Sequence, residues 1–201
     1  MYSAVRTFFL AACLVVAVQP QSPAPAPTDP QGSSKIEAVG PLVKKQFGPG
    51  FTVTSKMQTA LIVADFDGDG VDDVAIVADS KDPLPDSYDF KYEVSDPYYT
   101  YFGFGNPRAT AGFGRADPEH NHDLLVIFGA GADAWRAATP KAKFVLINVP
   151  FDTIEVGRML VKKNKPPIFV IRVQESQLMD SNVFWDAKKK RWKWQPGDTL
   201  E

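Results

Sequence analysis

Nine consecutive residues of this chain carry five aspartates and two glycines, and they lie between two short runs of strand-forming residues. The acidic segment is Asp65–Asp73 (DFDGDGVDD), preceded by Ala60–Ala64 (ALIVA) and followed by Val74–Ala78 (VAIVA). The flanking runs are rich in β-branched residues and too short for helices, so they predict two β-strands. The sequence therefore predicts a strand, an acidic loop and a second strand in direct succession.

The acidic residues are spaced as in a loop that wraps around a calcium ion. Carboxylates stand at the first, third, fifth and ninth positions, which are Asp65, Asp67, Asp69 and Asp73. Calcium takes about six to eight oxygen ligands, so one loop can hold it only if alternate residues point inward and a glycine allows a sharp turn. Gly70, at the sixth position, provides that turn because glycine adopts positive φ without steric cost.

Other features of the loop also favour calcium. Val71 needs no polar side chain because its backbone carbonyl can coordinate the ion, Asp73 is the expected bidentate ligand, and Asp72 is expected to face outward. Without a cation, the crowded carboxylates would repel one another, which would raise their pKa values or open the loop. Magnesium fits less well because it keeps its waters in a strict octahedron, and zinc prefers nitrogen and sulfur ligands, which the loop lacks.

The residues around the loop exclude an EF-hand and resemble a different class of calcium loop. An EF-hand needs a glutamate at position 12, where this chain has Ile76, and it needs helical flanks. The segment Ala64–Ile76 resembles the calcium loops of FG-GAP and VCBS-type repeats, in which a strand–loop–strand hairpin carries the ion. The resemblance implies that Ca²⁺ is bound by Asp65, Asp67, Asp69, the carbonyl of Val71 and Asp73. Those families stack several repeats into a β-propeller, whereas this chain has one copy, so only the site is carried over.

The N-terminal residues predict a segment that directs export. Thr7–Val16 (TFFLAACLVV) is an apolar run of signal-peptide length that is too short to span a bilayer, and small residues ending at Ala17 predict cleavage there. Residues 1–17 are therefore interpreted as a signal peptide, which places the mature protein in the periplasm or outside the cell. The alternative is a lipoprotein signal, Leu10–Cys13, which would leave the cysteine lipidated and the protein tethered to a membrane.

The rest of the chain divides into a linker and one domain. Residues 18–34 contain five prolines and predict a disordered, proline-rich linker. Residues 35–201 are enough for one domain with its own core. The net charge of −2 argues against nucleic acid as a main partner, which would need a basic face. The single cysteine, Cys13, lies in the leader, so the domain has no disulfide.

The short apolar runs predict an α+β fold, a single domain built mainly of antiparallel β-sheet with one or two helices. Besides the two strands beside the loop, the candidate strands are Phe51–Thr54, Leu124–Phe128, Phe144–Val149, Ile168–Val173, and a hairpin of Asn182–Trp185 with Arg191–Trp194. Asp152–Lys163 fits either a helix or a strand. A helix is predicted from Ser34, with a break at Gly40–Pro41 because proline removes a helical hydrogen bond.

A long segment without a regular pattern, residues 79–123, interrupts the strands. It carries five prolines and the aromatic tract Tyr98–Gly105 (YYTYFGFG). A loop of this length in a compact domain is usually functional or disordered. The favoured interpretation is an irregular insertion whose aromatic side chains pack on the domain surface. The alternative is an aromatic platform for a sugar, a peptide or a surface ligand, with a cell-envelope protein or glycan as the partner.

The only two histidines form a less specific cluster. His120 and His122, together with Asp117 or Asp123, have the residue types of a transition-metal site. The favoured interpretation is a polar loop that leads into the strand beginning near Leu124.

Two basic runs have similarly general patterns. Lys188–Arg191, with tryptophans on either side, has the composition of a nucleic-acid or anionic-lipid patch. The favoured interpretation is the charged tip of a hairpin. Lys162–Lys165 is likewise interpreted as a solvated turn before two prolines.

No catalytic motif stands out in the sequence. It lacks Gly-x-Ser-x-Gly, His-Glu-x-x-His and a phosphate-binding glycine loop in its strand–turn–helix context. The sequence therefore favours a non-enzymatic exported domain with a structural calcium site. Two alternatives stay open: a cell-envelope binding or scaffold module that uses the aromatic insertion, and a hydrolase that uses His120 or His122 with carboxylates.

Overall fold

The computed structural model describes residues 30–57, 59–110, 122–161, 163–176 and 179–197. In these ranges the chain forms two β-sheets and a few, mostly short helices, which confirms the predicted α+β fold with mainly antiparallel sheet. The helices are α1 (Pro30–Phe47), α2 (Ser87–Phe90), α3 (Pro97–Tyr101), α4 (Pro107–Thr110) and a 3-10 helix, Gly131–Arg136. The strands are β1 (Phe51–Val53), β2 (Leu61–Ala64), β3 (Asp73–Ser80), β4 (Glu93–Ser95), β5 (Asp123–Phe128), β6 (Ala142–Leu146), β7 (Thr153–Met159), β8 (Ile168–Ser176), β9 (Met179–Asp186) and β10 (Arg191–Pro196).

The first sheet has six strands arranged around β3. One edge of β3 pairs antiparallel with β5, while β1 and β2 pair with the two ends of its other edge. The sheet continues from β5 to β6 and then to β4, which runs parallel to β6. Residues Val74–Ala78 and Leu124–Phe128 are buried because both faces of this sheet are covered, which explains why these strands are continuously apolar.

The second sheet is an antiparallel meander of the last four strands, in the order β10-β9-β8-β7. The hairpin predicted near the C-terminus is present as β9 and β10, with Trp185 paired to Trp192. The ambiguous segment Asp152–Lys163 contributes strand β7. The alternation of its side chains, with Ile154 buried between two exposed neighbours, is the strand pattern and not the helical one.

The two sheets pack face to face around one core cluster. Ala75 and Val77 of β3 face this cluster, together with Phe128 of β5, Ile171 of β8 and Trp192 of β10. The alternate residues of β3 face the other way and join a second cluster on the opposite side of the six-stranded sheet. The chain therefore has three layers, with the six-stranded sheet in the middle.

Helix α1 covers the outer face of the six-stranded sheet. Its buried residues Val39, Val43 and Phe47 pack against that face at helical spacing. The predicted break at Gly40–Pro41 is wrong, because the helix runs through both residues. The burial of this apolar stripe offsets the hydrogen bond that proline removes. The helix also begins at Pro30, so the last residues of the predicted linker are helical.

The described part of the insertion, residues 79–110, contains short regular elements. Strand β4 forms one edge of the six-stranded sheet, and helix α3 packs against β10 of the other sheet. Among the described residues, no helix is both long and apolar enough to cross a membrane. The predicted signal peptide, Cys13 and most of the predicted linker lie outside the described residues.

Candidate metal centre

The acidic loop connects two directly paired strands. Strands β2 and β3 pair antiparallel, and Ala64 opposite Asp73 is the last pair before the loop. Gly68 and Gly70 have φ values of +79° and +87°, so the positive φ predicted at Gly70 is confirmed. No atom lies within 4 Å of a Cβ built on either glycine, so backbone conformation, and not space, selects glycine here.

The carboxylate of Asp65 organises the backbone of the loop. Its Oδ1 accepts hydrogen bonds from the amides of Gly68, at 2.8 Å, and Asp69, at 3.0 Å. Its Oδ2 accepts from the amide of Gly70 at 2.9 Å. Three amides thus converge on one side chain, which curls the loop back toward its first residue.

Asp73 joins the loop to the interior of the domain. Only 1% of this residue is exposed. Its Oδ2 accepts from the amides of Phe66, at 2.8 Å, and Asp67, at 3.2 Å, while its Oδ1 accepts from the amide of Gly129 at 2.8 Å. Burial raises the pKa of the Asp73 carboxyl to about 7; the Gly129 hydrogen bond opposes this rise, and the charge of Asp67 adds to it.

Three of the carboxylates are close enough to share one metal ion. Asp65, Asp67 and Asp73 each offer an oxygen atom, and these atoms all lie within 4.8 Å of one another. Two oxygens bound to one ion at about 2.4 Å can be at most about 4.8 Å apart, so the separation of each pair of these atoms is compatible with a shared cation. The donors are all carboxylate oxygens, which suits a hard divalent cation.

Asp69 and Val71, the other two predicted ligands, lie beside this group of three. Asp69 uses Oδ1 to accept a hydrogen bond from the amide of Val71 at 2.9 Å. Its Oδ2 lies 2.6 Å from the ammonium nitrogen of Lys141, and this hydrogen bond lowers the pKa of the Asp69 carboxyl. Coordination by Asp69 and by the Val71 carbonyl stays a prediction. Asp72 is exposed, as predicted.

Lys141 is a component of the site that the sequence reasoning missed. Its Nζ lies 2.6 Å from Oδ2 of Asp67 and 2.6 Å from Oδ2 of Asp69. The side chain of Asp67 is 4% exposed, whereas that of Lys141 is 48% exposed, so the lysine reaches the loop from the solvent side. The hydrogen bonds to these two carboxylates raise the pKa of the Lys141 ammonium above its usual range, and the bond to Asp67 has the larger effect.

Comparison of the chain with protein-family models, curated proteins and solved structures finds no match. The interpretation of the site therefore depends on its own residues and their geometry.

The predicted histidine cluster is only partly covered by the described residues. His120 and Asp117 lie outside them. His122 is 4% exposed, and its Nδ1 lies 2.6 Å from Oδ1 of Asp79. Asp123 accepts a hydrogen bond from the hydroxyl of Ser80. Among the described residues, the group that could hold a metal is the aspartate group and not the histidine.

The tryptophans near the C-terminus have two different environments. Trp185 and Trp192 pack in the core against Phe128, with ring centroids 5.1 and 5.8 Å away. Trp194 instead joins an aromatic patch with Tyr98, Tyr101 and Phe102, whose ring centroids lie 5.0, 5.0 and 6.1 Å from its own. Tyr101 and Phe102 are 53% and 51% exposed, so this patch faces solvent.

Proposed function

We propose that this chain is an exported, non-enzymatic domain whose acidic loop binds one calcium ion, and that the ion has a structural role. The observation that carries the proposal is the convergence of Asp65, Asp67 and Asp73 within 4.8 Å, on a loop whose glycines have positive φ. The ion would supply positive charge where these carboxylates meet. Asp69 and the carbonyl of Val71 would complete the ligand set, as the resemblance to FG-GAP and VCBS-type loops implies.

Calcium fits this donor set better than the other common divalent ions. The loop offers oxygen atoms and no imidazole or thiolate, which disfavours zinc. The loop also offers several carboxylates, whereas magnesium keeps most of its waters and demands a near-ideal octahedron. Calcium also accepts longer metal–oxygen distances than magnesium, about 2.3 to 2.6 Å, so it places looser limits on the positions of the carboxylate oxygens.

The attachment of the loop to the rest of the domain supports a structural role for the ion. The loop closes the β2–β3 hairpin, and Asp73 bonds to the amide of Gly129 directly after β5. Lys141, directly before β6, reaches the loop from the next strand of the same sheet. An ion held by the loop would therefore stabilise one end of the six-stranded sheet. An ion that binds only the folded state adds about 2.7 kcal/mol of stability at a hundred times its Kd.

The metal preference of the loop tests this proposal. Thermal unfolding of the chelator-treated protein is measured alone and with millimolar calcium, magnesium or zinc. Calcium is expected to raise the Tm by several degrees and magnesium by much less. An equal rise with calcium and magnesium, or no rise with calcium, would remove the basis for a calcium site.

Export is a separate part of the proposal that rests on residues 1–17, with cleavage after Ala17 or, as the alternative, a lipid anchor at Cys13. Mass spectrometry of the protein from the producing cell is expected to give a chain that begins at Val18. A lipid-modified chain that begins at Cys13 would instead support the anchor, and an uncleaved cytoplasmic chain would contradict export.

A second candidate function is glycan binding by the aromatic patch. Exposed aromatic rings stack on the apolar faces of sugars, and Tyr101 and Phe102 present such rings beside Trp194. Binding to cell-envelope polysaccharide is measured for the variant Tyr101→Ala/Phe102→Ala. Tyr88→Ala is the control, because Tyr88 is 89% exposed but belongs to α2 and not to the patch. A loss confined to the double variant supports this function, and binding that is absent or equal in all forms contradicts it.

A further inference from the structure

The second sheet brings two connections of the chain to one of its ends. The last paired residues of β7 and β8 before the chain turns are Met159 and Ile168, so residues 160–167 form one connection. The last paired residues of β9 and β10 are Asp186 and Arg191, so residues 187–190 form the other connection. Because successive strands of the meander reverse direction, these two connections lie at the same end, and β8 and β9 are direct neighbours.

This end of the sheet concentrates positive charge. Segments 158–165 and 186–193 together hold nine of the 22 lysines and arginines of the chain and one of its 24 acidic residues. That one acidic residue, Asp186, already forms an ion pair with Lys193 at 2.9 Å. Lys163, Lys165 and the three lysines Lys188–Lys190 are exposed. These two connections are therefore strongly basic, although the whole chain has a net charge of −2.

Exposed aliphatic side chains lie among these lysines. Leu160 and Val161 are 61% and 50% exposed, and they directly follow strand β7 in the first connection. The prolines that end this connection, Pro166 and Pro167, are also exposed. At least half of the surface of each of these two side chains is exposed, so this apolar area is available to a partner.

We propose that this basic end binds the surface of an anionic lipid bilayer, with Leu160 and Val161 entering the headgroup region. Lysines near such a surface are attracted by its negative potential, and apolar side chains between them gain from leaving water. Nucleic acid would use the charge but not the aliphatic side chains. Neither connection offers an aromatic ring on which a base could stack, because residues 160–167 read LVKKNKPP and residues 187–190 read AKKK.

Vesicle binding by the full chain tests the charge. Sedimentation is measured with phosphatidylcholine vesicles and with vesicles in which about a third of the lipid is phosphatidylglycerol, in chelator so that the metal site has no influence. The zwitterionic vesicles report binding by the apolar N-terminal run, which all variants share. The wild type is expected to prefer the anionic vesicles and to lose this preference in high salt. Equal binding to both vesicle types would overturn the proposal.

A matched pair of variants assigns that preference to the basic end. Lys188→Gln/Lys189→Gln/Lys190→Gln is expected to bind anionic vesicles about 100-fold more weakly. Each lysine near an anionic surface contributes about 1 kcal/mol of binding free energy, and three are removed. Lys44→Gln/Lys45→Gln/Lys56→Gln removes the same charge from exposed positions in α1 and after β1, and it should bind as the wild type does. Equal weakening by both triple variants would mean that only net charge matters, which contradicts the proposal.

A last variant distinguishes a membrane from other polyanions. Leu160→Ser/Val161→Ser should weaken vesicle binding several-fold and leave binding to duplex DNA unchanged. If the wild type binds DNA more tightly than anionic vesicles at equal salt, or if this variant binds vesicles as the wild type does, the partner is not a bilayer.

Discussion

The ammonium nitrogen of Lys141 lies 2.6 Å from Oδ2 of Asp67, although the two residues are 74 positions apart in the sequence. The same nitrogen lies 2.6 Å from Oδ2 of Asp69. Lys141 therefore supplies positive charge to the acidic loop from within the chain. A metal ion bound to these carboxylates would be repelled by that ammonium group, so the lysine and the ion compete for the same two aspartates.

Replacing Lys141 is expected to strengthen calcium binding and weaken the metal-free protein. Lys141→Met removes the competing charge, so the Kd for calcium should fall by about tenfold, which is about 1.4 kcal/mol. Without calcium the variant should be about 1 kcal/mol less stable, because Asp67 loses its ion pair while only 4% exposed. Calcium titration and urea unfolding measure the two effects.

The control for this variant is Lys193→Met, which removes the ion pair with Asp186 in the other sheet. It should leave calcium affinity unchanged. Weaker calcium binding by Lys141→Met than by the control would mean that the lysine assists the ion and does not compete with it.

The second prediction compares the calcium response of an aspartate in the converging group with that of an exposed aspartate in the same loop. Asp67→Asn is expected to abolish the rise in Tm with calcium, because Asp67 belongs to the group of three converging carboxylates. Asp72→Asn removes the same charge from an exposed position of the same loop and should keep the full rise. Equal loss in the two variants would show that the loop responds to its total charge and not to specific ligands.

The third prediction concerns the attachment of the loop to β5. A Cβ built on Gly129 would lie 2.3 Å from the carbonyl oxygen of Asp72 and 2.9 Å from Val71 Cγ1. Gly129→Ala must therefore shift the backbone whose amide donates to Asp73, and it should cost about 2 kcal/mol or more and weaken calcium binding. Urea unfolding with and without calcium measures both effects.

Gly40→Ala is the matched control, because nothing lies within 4 Å of a Cβ built on Gly40 in α1. It should be neutral or stabilise by up to about 1 kcal/mol. If Gly129→Ala behaved in the same way, the loop would not depend on its contact with the end of β5.

The fourth prediction is a pH dependence of the metal-free protein. The folded-state pKa of Asp73 is about 7, above its ordinary value of 3.8, so the folded protein holds a proton that the unfolded chain releases. This contribution to stability is complete below pH 3.8 and is lost as the pH rises through 7. It amounts to at most about 4 kcal/mol. Urea unfolding in chelator between pH 4 and pH 8 measures this contribution in the wild type and in Asp73→Asn. A pH dependence that Asp73→Asn retains would come from other groups.

The hairpin and the shape of its loop could be predicted because they depend on neighbouring residues. The apolar runs on either side fix two strands, and the glycine at position 70 fixes the turn, so both follow from local rules. Lys141 and Gly129 could not be predicted in the same way. They reach the loop because β5 pairs with β3 and β6 pairs with β5, which is a property of sheet order and leaves no pattern in the sequence near the loop.

The difference between local and distant contacts also explains where the predicted secondary structure was wrong. A break at Gly40–Pro41 is the correct local expectation, but the helix is held by the burial of Val39 and Val43 against a sheet formed much later in the chain. Strand β4 has three residues in a proline-rich segment, and only its pairing with β6 makes it a strand. In both cases contacts distant in sequence outweigh local preference.

Isothermal titration calorimetry of calcium into the chelator-treated chain tests the metal site most directly. We expect a saturable binding event with one ion per chain, absent from Asp65→Asn and Asp67→Asn and present in Asp72→Asn. A titration without binding heat up to millimolar calcium, together with an unchanged Tm, would contradict the account. The aspartates would then form an acidic turn stabilised by Lys141 and by the backbone amides that donate to Asp65 and Asp73.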